Sequence, residues 1–356
     1  MGSFVWRQCN TAGLALLVGC AVAALAQSPA ADARANVLAS EVAARGWILF
    51  STKTAQGDYD LFLCRPDGSF RRNLTQTPNE NEFGGRFSPD GKRMLYRRQA
   101  KGAANAAESG VNHDLWGTKG ALVIAKADGS DPQPQGDDGA YPWASWSPDG
   151  TQIACLYKRE GRIRIFDLGT KRLVKELPRQ GIFQQLFWSP DGKRLCGTAN
   201  LNGQDWNIVS IEIATGQETL LTRSLNCTPD WFQGDPNRVI YSSRVPGLAT
   251  EYGFTMLMQA TADGKSRTLV CGERGRHLYY GCTSPDDKYV IFSRPEADGR
   301  IEADMAIVRL ADTPIIVPDD YEQLRSLYPN AKSGPVLHLP QAGFEPHWTY
   351  AEIGAK

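Results

Sequence analysis

The chain is short of the residues that enzymes most often recruit. Among its 356 residues there are 4 histidines, and none stands in a His-x-x-x-His pair, so no compact metal motif is spelled out. No Cys-x-x-Cys pair occurs, which leaves zinc ribbons and dithiol redox sites without support. A Gly-x-Ser-x-Gly elbow is absent too, and with no α/β-hydrolase region after the last repeat a peptidase of the oligopeptidase type is excluded. Surplus charge is missing: 39 basic residues balance 39 acidic ones, no basic stripe stands out, and nucleic acid is not an expected partner. The apolar run from Ala12 to Leu25 is short for a membrane span and has no stop-transfer charges behind it.

What the chain has in quantity is one short phrase. It reads Phe87-Ser88-Pro89-Asp90-Gly91, then Trp146-Ser147-Pro148-Asp149-Gly150, then Trp188-Ser189-Pro190-Asp191-Gly192. Weaker copies begin at Trp231 and Thr283, and a last one is cut short at Trp348. A unit of roughly 40–50 residues, lengthened in places by insertions, is the signature of a β-propeller blade. Within each copy an aromatic head closes an inner strand. Proline presets φ, aspartate caps its own backbone and glycine takes the positive φ of the turn. Apolar second and third strands follow, as in Gln152–Tyr157 and Ile163–Phe166, and a Gly-Thr or Asp-Gly turn leads to an outer strand.

The ends of the repeat region complete each other. Trp47-Ile48-Leu49-Phe50 reads as a second strand with no first strand before it, and Phe344 to Tyr350 reads as a first strand with nothing after it. Joined, they give a sixth, mixed blade and remove the open sheet edges. The expected fold is all-β: a six-bladed propeller of four-stranded antiparallel blades over residues 46–350, closed by its C-terminal strand. A leader at 1–26, a linker at 27–45 and a tail at 351–356 flank it.

Residues 1–26 have the form of an export signal, with Arg7 before the apolar run and Ala24-Leu25-Ala26 as a small-x-small cleavage site. A periplasmic or secreted protein is expected. Leu17-Val18-Gly19-Cys20 offers lipid anchoring at Cys20 as the alternative. Of the cysteines after the leader, Cys155 and Cys196 fall on core strands as buried thiols, and Cys227, Cys271 and Cys282 are the ones that a bridge would involve.

The pattern aromatic-Ser-Pro-Asp-Gly, then Gly57-Asp58-Tyr59-Asp60-Leu61-Phe62-Leu63, Pro66-Asp67-Gly68 and Arg71-Arg72-Asn73-Leu74-Thr75 resembles the TolB-type propeller repeat, also called WD40-like or PD40. The resemblance covers about residues 46–350 and implies the fold more than an activity. TolB is periplasmic, carries an extra N-terminal α/β domain and binds a peptidoglycan-associated lipoprotein. Only about twenty residues separate this leader from the first strand, so a Tol-system role is not implied. The same repeat occurs in oligogalacturonate lyases, which use a histidine-rich metal site, and in relatives of prolyl oligopeptidase.

Loop lengths then point to a face. Turns joining strands one and two, and three and four, read as tight. The long connections gather on the opposite face, at Gln99–Gly120, Arg244–Gly253, Arg294–Ala303 and Pro318–Gly343. Long loops on a rigid scaffold usually carry recognition. A short helix is expected at Tyr321–Tyr328. The channel mouth on that face would be lined by Glu82, Arg86, Trp143, Gln184, Gln185, Asp230, Tyr279, Tyr280, Glu345 and His347, a set suited to a peptide or a sugar. No catalytic residue and no cofactor is expected. The weak metal candidates are His113, His277 and His347. The reading is an exported, monomeric, non-catalytic propeller that binds a protein or cell-envelope component, such as a cell-wall carbohydrate, through its long-loop face. Its rival is a metal-assisted polysaccharide lyase or hydrolase.

Overall fold

The computed structural model describes residues 29–101, 120–136, 140–157, 162–178, 181–201, 206–223, 225–244, 255–273, 276–296, 303–311, 315–316 and 334–353. The leader, most of the four long insertions and the expected helix at Tyr321–Tyr328 lie outside the described residues. A helix, α1 (Pro29–Val42), precedes the sheets.

Blade one takes β1 (Trp47–Lys53), β2 (Tyr59–Cys64) and β3 (Arg72–Asn73) from the start of the chain. Blade two is β4 (Glu80–Phe87), β5 (Arg93–Ala100), β6 (Ala121–Lys126) and β7 (Gln133–Gln135). Blade three is β8 (Trp143–Trp146), β9 (Gln152–Tyr157), β10 (Arg162–Asp167) and β11 (Leu173–Pro178). Blade four is β12 (Ile182–Trp188), β13 (Arg194–Asn200), β14 (Trp206–Glu212) and β15 (Glu218–Leu220). Blade five is β16 (Asn226–Trp231), β17 (Arg238–Arg244), β18 (Thr255–Thr261) and β19 (Arg267–Glu273). Blade six begins with β20 (Tyr279–Thr283), β21 (Tyr289–Arg294) and β22 (Asp304–Arg309). Then β23 (Ile315–Ile316) pairs in parallel with β19, β24 (Val336–Ala342) becomes the outer strand of blade six, and β25 (Phe344–Thr349) supplies the inner strand of blade one.

The sheet order β25-β1-β2-β3 is the expected closure, with Ile48 opposite Trp348 and Trp47 opposite Thr349. Gly46 sits where that closure is tightest. Its φ is +76°, and a Cβ there would lie 2.0 Å from the carbonyl oxygen of Thr349, so only glycine fits.

Second strands are buried on both sides because each sheet is sandwiched between two others. Cores of Leu49, Leu61, Phe87 and Tyr96, or of Leu156, Ile165, Leu195 and Val209, run continuously from one blade to the next. The turns hold by a repeated set of bonds. Ser88 Oγ donates to Asp90 Oδ1 at 2.6 Å, and the N–H groups of Lys92 and Arg93 donate to Asp90 Oδ1 and Ser88 Oγ. The same Ser–Asp bond recurs at Ser147–Asp149, Ser189–Asp191 and Ser284–Asp286. Just past the turn, an arginine clasps the next blade. Arg93 lies over the Trp146 ring and donates to the Gly150 carbonyl, and Arg194 lies over Trp231 and donates to the Pro236 carbonyl.

Three expectations change. First, the stretch 27–45, read as a linker, contains α1, whose Leu38 and Val42 are fully buried against Ile48, Phe62, Tyr289, Ile307 and Leu339. Second, part of the Pro318–Gly343 loop is strand β24. Because β24 runs antiparallel to β22, the long connection between them leaves and returns on the tight-turn side, not on the long-loop side. The third-to-fourth turn of blade six is therefore not tight. Third, Cys227, Cys271 and Cys282 are free, as are Cys64, Cys155 and Cys196, and all six are buried. Burial pushes the Cys64 and Cys227 thiols up to about 12, which keeps them protonated and inert. No helix among the described residues is long and apolar enough to cross a membrane.

Candidate functional site

The central channel is built from two layers, each taking one residue per blade at a fixed distance before the head. One residue before it stand Arg86, Ser145, Phe187, Asp230, Cys282 and His347. Three residues before it stand Gly84, Trp143, Gln185, Thr228, Tyr280 and Glu345. Five of the six inner strands carry a bulge at this second layer, with φ of +63° at Gly84, +45° at Gln185, +48° at Thr228, +57° at Tyr280 and +51° at Glu345. Bulges re-aim side chains where a strand meets a site. The exception is blade three, where β8 pairs with β9 without a register shift and Trp143 occupies the place.

The second layer is nearly closed. Glu345 accepts from Arg97 Nη2 at 2.7 Å through Oε1, and the Arg97 guanidinium lies 3.8 Å from the centre of the Trp143 ring. A Cβ at Gly84 would stand 2.7 Å from Glu345 Oε2 and 2.9 Å from Arg97 Nη2, so the missing side chain makes room for the ion pair. Only about 20 Å³ of free volume remains among these residues.

The first layer floors a far larger space. A cavity of about 440 Å³ opens on the tight-turn side, ringed by Pro89, Pro148, Pro190 and Pro285 and walled by Trp146, Phe187, Trp188 and Trp231. Arg86 crosses its floor: Nη1 donates to Asp230 Oδ2 at 2.7 Å, and the guanidinium lies 4.3 Å from the Phe187 ring centre. Burial pushes the Asp230 carboxyl up, and Arg86 draws it back. Burial also works against the Arg86 charge, but the surrounding acidic groups, Asp230 first among them, together more than offset it. The pair therefore persists as ions because each holds the other.

Several first-layer side chains also stitch the ring. The Phe87 N–H donates to His347 Nδ1 at 3.1 Å, the Trp188 N–H to Ser145 Oγ at 2.8 Å, and the Trp348 N–H to Cys282 Sγ at 3.5 Å. Burial and the nearby Arg86 charge hold the His347 imidazole well below its ordinary pKa. It is neutral, with its proton on Nε2, because Nδ1 accepts.

The ten candidates thus separate. Arg86, Asp230 and His347 meet at the turn-side cavity, while Trp143, Gln185, Tyr280 and Glu345 form the constriction behind it. Glu82, Gln184 and Tyr279 stand apart. Glu82 is fully buried, accepts from Thr77 Oγ1 at 2.6 Å, and is pushed up to about 8, chiefly by burial. Gln184 accepts from Gln185, and the Tyr279 ring stacks on His277. The set does not share one mouth on the long-loop face. Phe187, Trp188 and Gln233 of the turn-side cavity were not anticipated. The spacing before each head would have found Phe187, and Trp188 is itself a head.

The metal candidates are not brought together. His277 is buried at the loop side, with Nδ1 2.7 Å from Thr255 Oγ1, whereas His347 lines the turn-side cavity, and His113 lies outside the described residues. Among the described residues no three His, Cys, Asp or Glu side chains are grouped as a metal requires.

No protein-family model matches the sequence, and no curated protein matches it. Solved structures do match. TolB from Acinetobacter baumannii is 15% identical with a TM-score of 0.63, over 86% of this chain and 67% of that one. A chain of a nidogen/laminin complex is 12% identical with a TM-score of 0.54, over 75% of this chain and 91% of that one. At these identities the likeness is one of fold. The chain is a six-bladed β-propeller of four-stranded blades, closed between its two ends and similar in fold to TolB.

Proposed function

We propose that this chain is a non-catalytic binding propeller, exported by its leader to the periplasm or beyond, that docks a protein or cell-envelope component in its turn-side cavity. The observation that carries this reading is the cavity itself. Its volume of about 440 Å³ falls in the range of ligand sites, and such sites pair mostly apolar walls with a few fixed polar groups. Here the polar group is the Arg86–Asp230 pair. At the other end of the channel the described residues leave little free space.

The rival, a metal-assisted lyase, needs histidines in one coordination sphere. His347 is instead engaged by the Phe87 N–H and His277 by Thr255. Recovery of a partner from envelope extracts by cross-linking tests the binding reading. Trp188→Ala, which opens one cavity wall, is expected to lose the partner, and removal of residues 102–119 is expected to retain it. The reverse pattern moves docking to the long-loop face. Stoichiometric zinc or manganese in purified protein, lost in His277→Ala plus His347→Ala, establishes the lyase reading instead.

A further inference from the structure

We propose that the turn-side cavity recognises a single carboxylate on a peptide segment, and that Arg86 is its anchor. The inference rests on the binding reading above and adds the chemical class of the ligand.

Arg86 is half-used. Its Nη1 serves Asp230 Oδ2 and lies 3.9 Å from Cys282 Sγ, and no hydrogen bond engages Nε or Nη2 among the described residues. The Arg86 side chain is 18% exposed and lines the cavity floor. Arginine presents its donors as a planar fork, and the edge that Asp230 leaves free is the one a second carboxylate meets with two parallel bonds. Asp230 also sets the ligand's charge. Standing 2.7 Å from the guanidinium, it cancels most of the field that would hold a dianion such as phosphate, while a monoanion can still share the fork.

The other polar groups of the cavity argue for peptide over sugar. Ser88 and Ser147 spend their hydroxyls inside their turns on Asp90 and Asp149, and Tyr350 spends its own on Asp286. Gln233 Nε2 is held by the backbone carbonyls of Thr283 and Trp348. A carbohydrate needs many free hydrogen-bond partners, and these are committed elsewhere. What remains free is largely apolar: partly exposed Phe187 and Trp188 beneath a rim of prolines. Such a surface suits the aliphatic neighbours of an acidic residue. The His347 Nε2–H, left over because Nδ1 accepts from the Phe87 N–H, is a further donor in the wall.

The test uses the full chain and pools of N-acetylated, C-amidated hexapeptides, each pool fixed at one position as Asp, Glu, Asn, Gln or Lys and randomised elsewhere. Bound peptide is read by affinity-selection mass spectrometry. The acidic pools are expected to be enriched roughly tenfold over their amides, the scale of one charge-assisted bond. A matched pool with a free C-terminus separates a terminal carboxylate from a side-chain one, and either confirms the class. Arg86→Gln with Asp230→Asn, which removes both charges together, is expected to erase the preference. Arg86→Lys, which keeps charge but not the fork, is expected to retain only part of it. Equal capture of acidic and amide pools, still lost in Trp188→Ala, overturns the anchor and leaves the cavity reading standing. No capture of any pool defeats both. Capture of galacturonic acid with no peptide bound overturns the peptide in favour of a sugar acid.

Discussion

Glu82 shows how much one buried group can decide. It is fully buried, its Oε2 has no hydrogen-bond partner among the described residues, and its carboxyl is pushed from 4.5 to about 8. The folded state therefore holds a proton that the unfolded chain releases near pH 4.5. Between about pH 4.5 and pH 8 the native state binds more protons, so stability falls as pH rises through that window and levels off above it. Glu82→Gln keeps an acceptor for Thr77 without the charge. It is expected to melt with the wild type at pH 4.5 and above it at pH 8, by on the order of a few kcal/mol. Thermal melts at the two pH values check this, and parallel pH profiles would refute it. The inner-strand pattern places Glu82 at the channel mouth, but nothing in the sequence marks its carboxyl as buried. Its burial comes where Asp60 of β2 and the connection carrying Thr75 and Thr77 pack against the start of β4, a contact between neighbouring blades.

Among the elements, those built on the repeated phrase were legible and those without it were not. The head aromatic and the Ser-Pro-Asp-Gly turn fix strands one and two of each blade because both carry chemistry that tertiary context cannot replace. The outer strand β24 has no Asp-Gly turn before it, and it carries Pro340 within it, so its segment reads as loop. Helix α1 is rich in alanine and presents only a narrow apolar stripe. Its purpose appears once Leu38 and Val42 are seen in the seam between blades one and six, with Glu41 paired to Arg309 and Arg45 to Asp286. Leu38→Ala is expected to cost about 2–4 kcal/mol, read as a lower midpoint in denaturant with an unchanged slope. An unchanged midpoint would make α1 an ornament of the ring and not a part of it. The channel layers were legible in half: the periodicity located Arg86, Asp230 and Glu345, but which mouth is open depends on bulges that no residue type announces.

At the scale of the molecule, the ring depends on the pairing of β25 with β1. The Trp348 Nε1–H also bonds the Arg45 carbonyl at 2.7 Å, and Ile353 is buried beyond the strand. Removing Phe344–Lys356 exposes the inner edge of β1 and unroofs the cavity wall that His347, Thr349 and Tyr350 provide. The truncated protein is expected to melt lower and to associate through the bare edge, as scattering coupled to gel filtration would show. A monomer with unchanged melting temperature would refute the closure argument. The pairing joins residues about three hundred positions apart, which gives synthesis a direction. Five blades can assemble as the ribosome delivers them, but the first to emerge waits for the last to be translated. Until then the cavity lacks the side that His347, Thr349 and Tyr350 supply, so a nascent chain cannot engage its partner early, and competence to bind arrives in one late step.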